Sequence, residues 1–440
     1  MIKRDIWYRE MSDIPFIHKA GNYKTLVPLR ITEARACFLN ENFEKERMVL
    51  QFCNCLLMWI VKRRSDMISC DVFFDALRKE GIDFFTGVPD SLLSSLSAWL
   101  IAHTPERHMI AANEGNAVGI AAGYYLATGQ IPVVYMQNSG IGNTVNPVAS
   151  LLHKDVYQIP VLFLVGWRGE PGIHDEPQHV FQGKATIQML EAMDVKAVVL
   201  DTDWERAQTQ VTETIAYMKE TGMPAALVIH KNTFETVKYA KAQNGYPLSR
   251  EQALEVILAH LPQESRIVST TGKLSRELFE LREARGEGHD KDFLTVGSMG
   301  HASSIALGVA MESNHPVYCL DGDGAVLMHM GAMAILGQNQ ADNIQHILIN
   351  NGCHESVGGQ PTVGMQVQLD QVALACGYEK VYNCTDESAL EAALEEVKQA
   401  KHVCLIQVFV NTDSRSDLGR PTVTSHENKA NFMAHLPESS

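Results

Sequence analysis

The stretch PVYCLDGDGAVLMHMGAMAILGQ at residues 316–338, followed by HILINNGC at 346–353, decides the fold. Val317 to Leu320 is an apolar run of strand length that enters Asp321-Gly322-Asp323-Gly324. The stretch from Ala325 to Gln338 reads as a helix, and HILI as a second strand ending in Asn350-Asn351-Gly352. Strand, helix and strand in that order form a parallel pair with a crossover. In an open parallel sheet, ligands bind beyond the carboxyl ends of the strands. Here two such ends carry a carboxylate and two amides. Alone, Gly-Asp-Gly reads as a tight strand-to-helix turn. With Asn351 following Asp323 by 28 residues, the two ends together read as a site for a diphosphate and Mg²⁺. The glycines let backbone approach a phosphate and expose N–H groups at a helix start, and Mg²⁺ takes carboxylate, amide, carbonyl and phosphate oxygens.

Outward from this core, short apolar runs alternate with helical stretches in both directions. Upstream lie IPVVYM (131–136), IPVLFLVG (159–166) and AALVIH (225–230); around the core lie RIVST (266–270) and HVCLIQVFV (402–410). This rhythm predicts an α/β chain with two halves, each a mostly parallel sheet with helices on both faces. A polar stretch within 231–250 separates them. The expected organisation is a poorly structured N-terminal extension over 1–66, a first domain over 67–235, a linker over 236–248 and a second domain over 249–435. At Met67 the character changes, and Val72, Phe73, Leu77 and Gly81 spell an amphipathic helix with a glycine stop.

The chain has 440 residues and a formal net charge of −15, with 45% hydrophobic and 20% charged residues. That excludes a disordered chain and argues against nucleic acid or an anionic membrane surface as partner. Cys37, Cys53, Cys55, Cys70, Cys319, Cys353, Cys376, Cys384 and Cys404 are odd in number and lack C-x-x-C spacing, as expected of reduced thiols in a cytoplasm. The most apolar window, Met48 to Val61, has 14 residues, short of the ~20 that span a bilayer. Its basic flank Lys62-Arg63-Arg64 follows it, so a secretory signal is not expected.

In the first half, Glu114 stands at the end of a short apolar run and opens a Gly- and Ala-rich helix. Small neighbours allow tight packing, which would desolvate the carboxyl and raise its pKa. Alone it reads as a carboxylate at a helix N-terminus.

The paired G-D-G and N-N motifs resemble the binding motif of thiamine diphosphate enzymes. The resemblance implies two thiamine diphosphate-binding-fold domains, with Mg²⁺ held by Asp323, Asn351 and the main-chain carbonyl of Cys353, and the cofactor lying against Gly322, Gly324 and Ala325. GSMGHASSIALG (297–308) resembles the segment that receives the aminopyrimidine ring: Met299 would bend the cofactor and the Gly297 carbonyl would hold its amino group. Glu114 would lie against the pyrimidine nitrogen and activate the cofactor. The family draws this glutamate and the metal motif from different subunits, which implies at least a homodimer with the active site at the interface.

GVPDSLL (87–93), STTGKLSRELFELR (269–282) and NNGCHESVGGQPT (350–362) resemble the phosphonopyruvate branch of the sulfopyruvate and phosphonopyruvate decarboxylase group most closely. That implies decarboxylation of 3-phosphonopyruvate to phosphonoacetaldehyde in phosphonate biosynthesis, with sulfopyruvate decarboxylation, carboligation and non-catalytic diphosphate binding as alternatives. A 2-oxo acid with an anionic head needs local cations. Lys273 and Arg276 are placed for this, with Arg168 behind them, and His354 follows the metal asparagines. Proton transfer would fall to His179 and His174 with Asp175 and Asp90, and His301 and Glu355 are further candidates.

Overall fold

Runs such as Val133–Gln137 and Leu162–Gly166 are buried along almost their whole length, which requires a sheet covered on both faces. The computed structural model describes residues 67–241, 243–339 and 341–436, together with a short antiparallel pairing of Phe16–Ile17 with Leu26–Val27. The expected unstructured character of 1–66, with Cys37, Cys53, Cys55 and the apolar window at 48–61, otherwise lies outside the described residues. Contacts divide the chain at Asp66 and Met67.

The first sheet contains Phe85–Gly87 (β1), His108–Ile110 (β2), Val133–Gln137 (β3), Leu162–Gly166 (β4), Lys196–Val199 (β5) and Ala225–Ile229 (β6). Its order is β2-β1-β3-β4-β6-β5 and every pairing is parallel. The second contains Arg266–Ser269 (β7), Asp292–Leu294 (β8), Val317–Gly322 (β9), Ile344–Asn350 (β10), Val381–Cys384 and Leu405–Phe409. Between its fourth and fifth strands, Cys353–His354 (β11) and Gln360–Pro361 (β12) form an antiparallel pair; the last two strands of the main sheet are then β13 and β14. Its order, β8-β7-β9-β10-β14-β13, repeats the first in topology, again wholly parallel.

Each sheet is packed on both faces. Helix Cys70–Lys79 buries Cys70, Phe73, Phe74 and Leu77, the i, i+3, i+4, i+7 stripe of an amphipathic helix. Phe74 stacks on Trp99 at 4.3 Å. Gly81, at φ +85°, ends the helix by donating its N–H to the Arg78 carbonyl. On the opposite face Ala117, Val118 and Ala121 of helix Glu114–Thr128 pack with Met136 and Phe163.

Two features depart from the sequence reading. β1, β2, β5, β8 and β13 have three or four residues each, and β2 and β5 are partly exposed edge strands; such segments carry too little periodicity to stand out. The helix expected from Ala325 to Gln338 starts at Asp323 and is broken: Asp323–Met328 and Gly331–Gln338 are separate helices, with His329 at φ −133°, ψ 49° between them. Among the described residues no helix is long and apolar enough to cross a membrane.

The second half is tied to its site by a buried charge cluster. Arg250, the first residue of helix Arg250–His260, forks onto Glu277 with two bonds of 2.5 Å, and its remaining arm reaches Glu355. All three side chains are at most 7% exposed. Removing one partner of a buried pair strands the others, so Arg250→Ala should cost about 3–5 kcal/mol, measured as a drop in the urea midpoint. A loss below about 1 kcal/mol would mean that water solvates Glu277 and Glu355 as well as Arg250 does.

Candidate functional site

β9 and β10 are adjacent and in register, so their carboxyl ends place Asp323 and Asn351 side by side. Asp323 is 3% exposed and accepts a hydrogen bond from Thr362 Oγ1. Burial pushes its carboxyl up to about 6, and Thr362 offsets part of that. Asn350 donates to the Gly364 carbonyl at 2.9 Å, while Asn351 Oδ1 accepts from Cys353 N at 3.1 Å. Asp323, Asn351 and Cys353 line one cleft together with Gly322, Ala325, Met299 and His354. A Cβ on Gly324 would stand 3.0 Å from the His354 ring and 3.2 Å from Met299 Cε, so a side chain here would press on both neighbours. Burial lowers His354 to about 4, making it a neutral imidazole at pH 7. The carboxylate and amide oxygens suit a hard cation, and the residues present fit Mg²⁺ with a diphosphate.

Val88 and Pro89, from the loop after β1, line the same cleft. Asp90, next to them, is fully buried; its Oδ2 accepts from Leu92 N at 3.0 Å, and its Oδ1 has no partner among the described residues. Burial raises it to about 6 against the pull of Arg168. Glu114 begins helix Glu114–Thr128 behind an Asn113 N-cap, is 5% exposed, and accepts from Asn143 at 2.7 Å. Burial raises its pKa, and the Asn143 bond opposes the rise. A Cβ at Gly140 or Gly166 would overlap the carboxylate of Glu114 or Asp90 respectively.

The HDEPQH loop holds its ionisable side chains in different settings. Asp175 is locked by Arg168 through Nε at 2.7 Å and Nη2 at 2.5 Å, and it also accepts from Gly169 N and Glu176 N. Burial alone would raise it, but these donors hold it well below the usual carboxylate range. These four bonds fix the Asp175 carboxylate and order the loop around it. His179 is buried on helix Pro177–Ala192, with Nδ1 unpartnered among the described residues; burial and then Arg168 lower its pKa. His174 is exposed, and so is His301, which lies at 3.2 Å from Ser298 Oγ. Gln178 lies beside Gly297.

Lys273 lines the cleft and donates to Glu355 Oε1 at 2.8 Å and Ser414 Oγ at 2.5 Å. Burial would raise Glu355, yet Arg250, Lys273 and Ser414 hold it at about 2. Arg276 spends Nε and Nη2 on the carbonyls of Gly419 and Leu418. Sequence reasoning missed Thr362, Asn143 and Arg250: a threonine beyond the asparagines, an asparagine inside a Gly-rich turn and an arginine at a helix start have no local signature. Asn113 Nδ2, beside Glu114, donates to the Met328 carbonyl of the second half at 3.0 Å.

Residues 69–195 match the family model "Thiamine pyrophosphate enzyme, N-terminal TPP binding domain" and residues 271–408 match the corresponding C-terminal TPP binding domain. The chain belongs to the thiamine pyrophosphate enzymes. It is 35% identical to a phosphonopyruvate decarboxylase of Streptomyces viridochromogenes over 81% of this chain and 92% of that one. A phosphonopyruvate decarboxylase of Streptomyces hygroscopicus is also 35% identical, over 84% and 95%. A sulfopyruvate decarboxylase of Methanosarcina acetivorans is 26% identical over 76% and 89%.

Asp90 gives the site a pH signature. Its folded pKa of about 6 lies above the ordinary 3.8, so the native state favours the protonated form. The stability this confers is complete below pH 4 and is lost as pH rises through 6, leaving an ionised carboxylate that costs roughly 3 kcal/mol at pH 8. Asp90→Asn should raise the urea midpoint at pH 8 and change it little at pH 4.5. Equal effects at both pH values would show that Asp90 does not titrate there.

Proposed function

We propose that this chain decarboxylates 3-phosphonopyruvate to phosphonoacetaldehyde and CO₂ with thiamine diphosphate and Mg²⁺, as a step of phosphonate biosynthesis. The observation that carries the proposal is the 35% identity extending over 92% of the Streptomyces viridochromogenes phosphonopyruvate decarboxylase. When bound, thiamine diphosphate supplies the electron sink that a 2-oxo acid needs to lose CO₂. The chain's own groups then have separate tasks. Asp323, Asn351 and the Cys353 carbonyl hold the metal, with Gly322, Gly324 and Ala325 against the diphosphate. Met299 and the Gly297 carbonyl orient the pyrimidine. Glu114, desolvated and raised in pKa, would be the group to share a proton with the pyrimidine nitrogen of the bound cofactor.

Lys273 and Arg276 meet the anionic head, with neutral His354 beside them. A proton must replace the departing CO₂, and Asp90, near 6, can hold one at its unpartnered oxygen. His179, buried and neutral, is the second proton carrier of the same loop cluster, with exposed His174 at its rim.

We place the enzyme in the cytoplasm as a homodimer, with 67–235 and 249–435 as its pyrimidine-side and diphosphate-side domains. A chain started at Met67 should turn over substrate at the full-length rate. A rate lower by more than about threefold would give residues 1–66 a part in the reaction.

Glu114→Gln should lower the decarboxylation rate at least about a hundredfold, the scale of a lost acid–base function, with thiamine diphosphate still bound by fluorescence titration. Aldehyde release is followed through a coupled reductase. Preferential turnover of sulfopyruvate would shift the substrate assignment, and a hydroxyketone as main product would replace decarboxylation by carboligation. Subunit sharing has its own test: inactive Glu114→Gln and Asp323→Asn chains are mixed and allowed to exchange. If the site spans two subunits, one of the two sites in each mixed dimer regains both residues and activity returns. Persistent inactivity would place each site within a single chain.

A further inference from the structure

The segment between β14 and helix Ser425–Ala434 crosses the N-terminal end of helix Lys273–Ala284 and is pinned there by one helix face. Lys273 holds Ser414 Oγ at 2.5 Å, Arg276 holds the carbonyls of Leu418 and Gly419 at 2.6 Å each, and Glu280 accepts from Gly419 N at 2.5 Å while pairing with Arg415. Positions 273, 276 and 280 follow the helical repeat, so the segment is a strap fastened along one stripe. The next residue, Arg420, reaches out of the second half and pairs with Glu176 in the HDEPQH loop of the first.

The strap thus sets two guanidiniums close together. Arg276 grips the residue before Arg420, and burial followed by the Arg420 charge depresses its basicity. Glu176 is the carboxylate paired with Arg420, and the Arg420 side chain is 55% exposed, so this pair is weak and readily exchanged. Two neighbouring like charges repel, and a dianion between them turns that repulsion into attraction. Guanidinium forks match phosphonate oxygens in bidentate geometry.

We propose that Arg420 is a head-group-binding residue: on substrate entry its fork leaves Glu176 and joins Nη1 of Arg276 on the phosphonate, while the strap stays fastened through Lys273, Glu280 and the Nε and Nη2 of Arg276. Glu176 then holds the cation in place between turnovers and competes with the substrate for it. This assignment rests on the 2-oxo acid phosphonate reading above.

The test uses the full-length enzyme loaded with thiamine diphosphate and Mg²⁺. Arg420→Gln should raise KM for 3-phosphonopyruvate at least about tenfold, the scale of one charge-assisted partner, with kcat within threefold. Arg420→Lys should restore part of the loss, and Glu176→Gln should lower KM. A parallel arm titrates 3-phosphonopropanoate, a non-reacting acid with the same head, into wild type and Arg420→Gln by calorimetry; the variant should bind at least about tenfold more weakly. An unchanged KM, equal falls in kcat and kcat/KM without rescue by lysine, or equal binding of the inert acid would each overturn the proposal. Should wild type fail to decarboxylate phosphonopyruvate, the functional reading falls, and the calorimetric arm still decides whether Arg420 binds a phosphonate.

Discussion

The buried contact of Arg250 with Glu277 and Glu355 is the constraint on which the diphosphate side depends. It joins three pieces that are remote in sequence: the start of one helix, the middle of another and the turn that follows β11. Two carboxylates and one guanidinium leave an excess negative charge in the interior, and Lys273 from the cleft wall, with Lys241 at 3.6 Å, meets it at Glu355 Oε1. Burying charge is costly unless it is paired and hydrogen-bonded. The cluster therefore fixes the loop carrying Asn351, whose Nδ2 points to Glu355 at 3.4 Å. Cleft geometry is in this way set by packing well behind it.

The carboxylates near the seam divide by what surrounds them. Glu355 and Asp175 are saturated by donors and held ionised. Asp90, Glu114 and Asp323 are buried with fewer donors and are shifted toward the neutral form. The difference follows from the balance of burial against donated charge: Arg168 with two backbone amides outweighs burial at Asp175, and Arg250 with Lys273 and Ser414 does at Glu355, whereas neutral donors do not at Glu114 and Asp323, nor does the Arg250 fork at Glu277. Groups of the first kind hold shape, and groups of the second can exchange a proton or take a cation.

Much of this was legible in the chain. β9 and β10 are six and seven residues long, and their ends carry Asp323 and Asn351, so a short pattern reported both the sheet and its ligand-bearing edge. Glu114 was legible because its helix is made of small residues that pack closely. Asp175 stood out through its neighbouring histidines, but its pairing with Arg168 did not. Arg168 comes from a different strand end, and nothing local announces the pairing. Arg420 was invisible for the same reason: it lies in a polar stretch whose purpose depends on a helix more than a hundred residues earlier. The three-residue strands escaped because β1 is defined by its two neighbours more than by its own residues.

The interruption at His329 has a use that an unbroken helix would not allow. In a continuous helix the Met328 carbonyl would be spent on the amide one turn ahead. Because the chain turns at His329, the Ala332 N–H goes to the His329 carbonyl instead, and Met328 is left with an acceptor facing the other half of the molecule. Asn113 takes it, with the amide that caps the Glu114 helix. One side chain therefore orients the carboxylate's helix with its oxygen and docks that helix onto the diphosphate side with its nitrogen. A lapse in regular structure in one half serves as the alignment peg for the other.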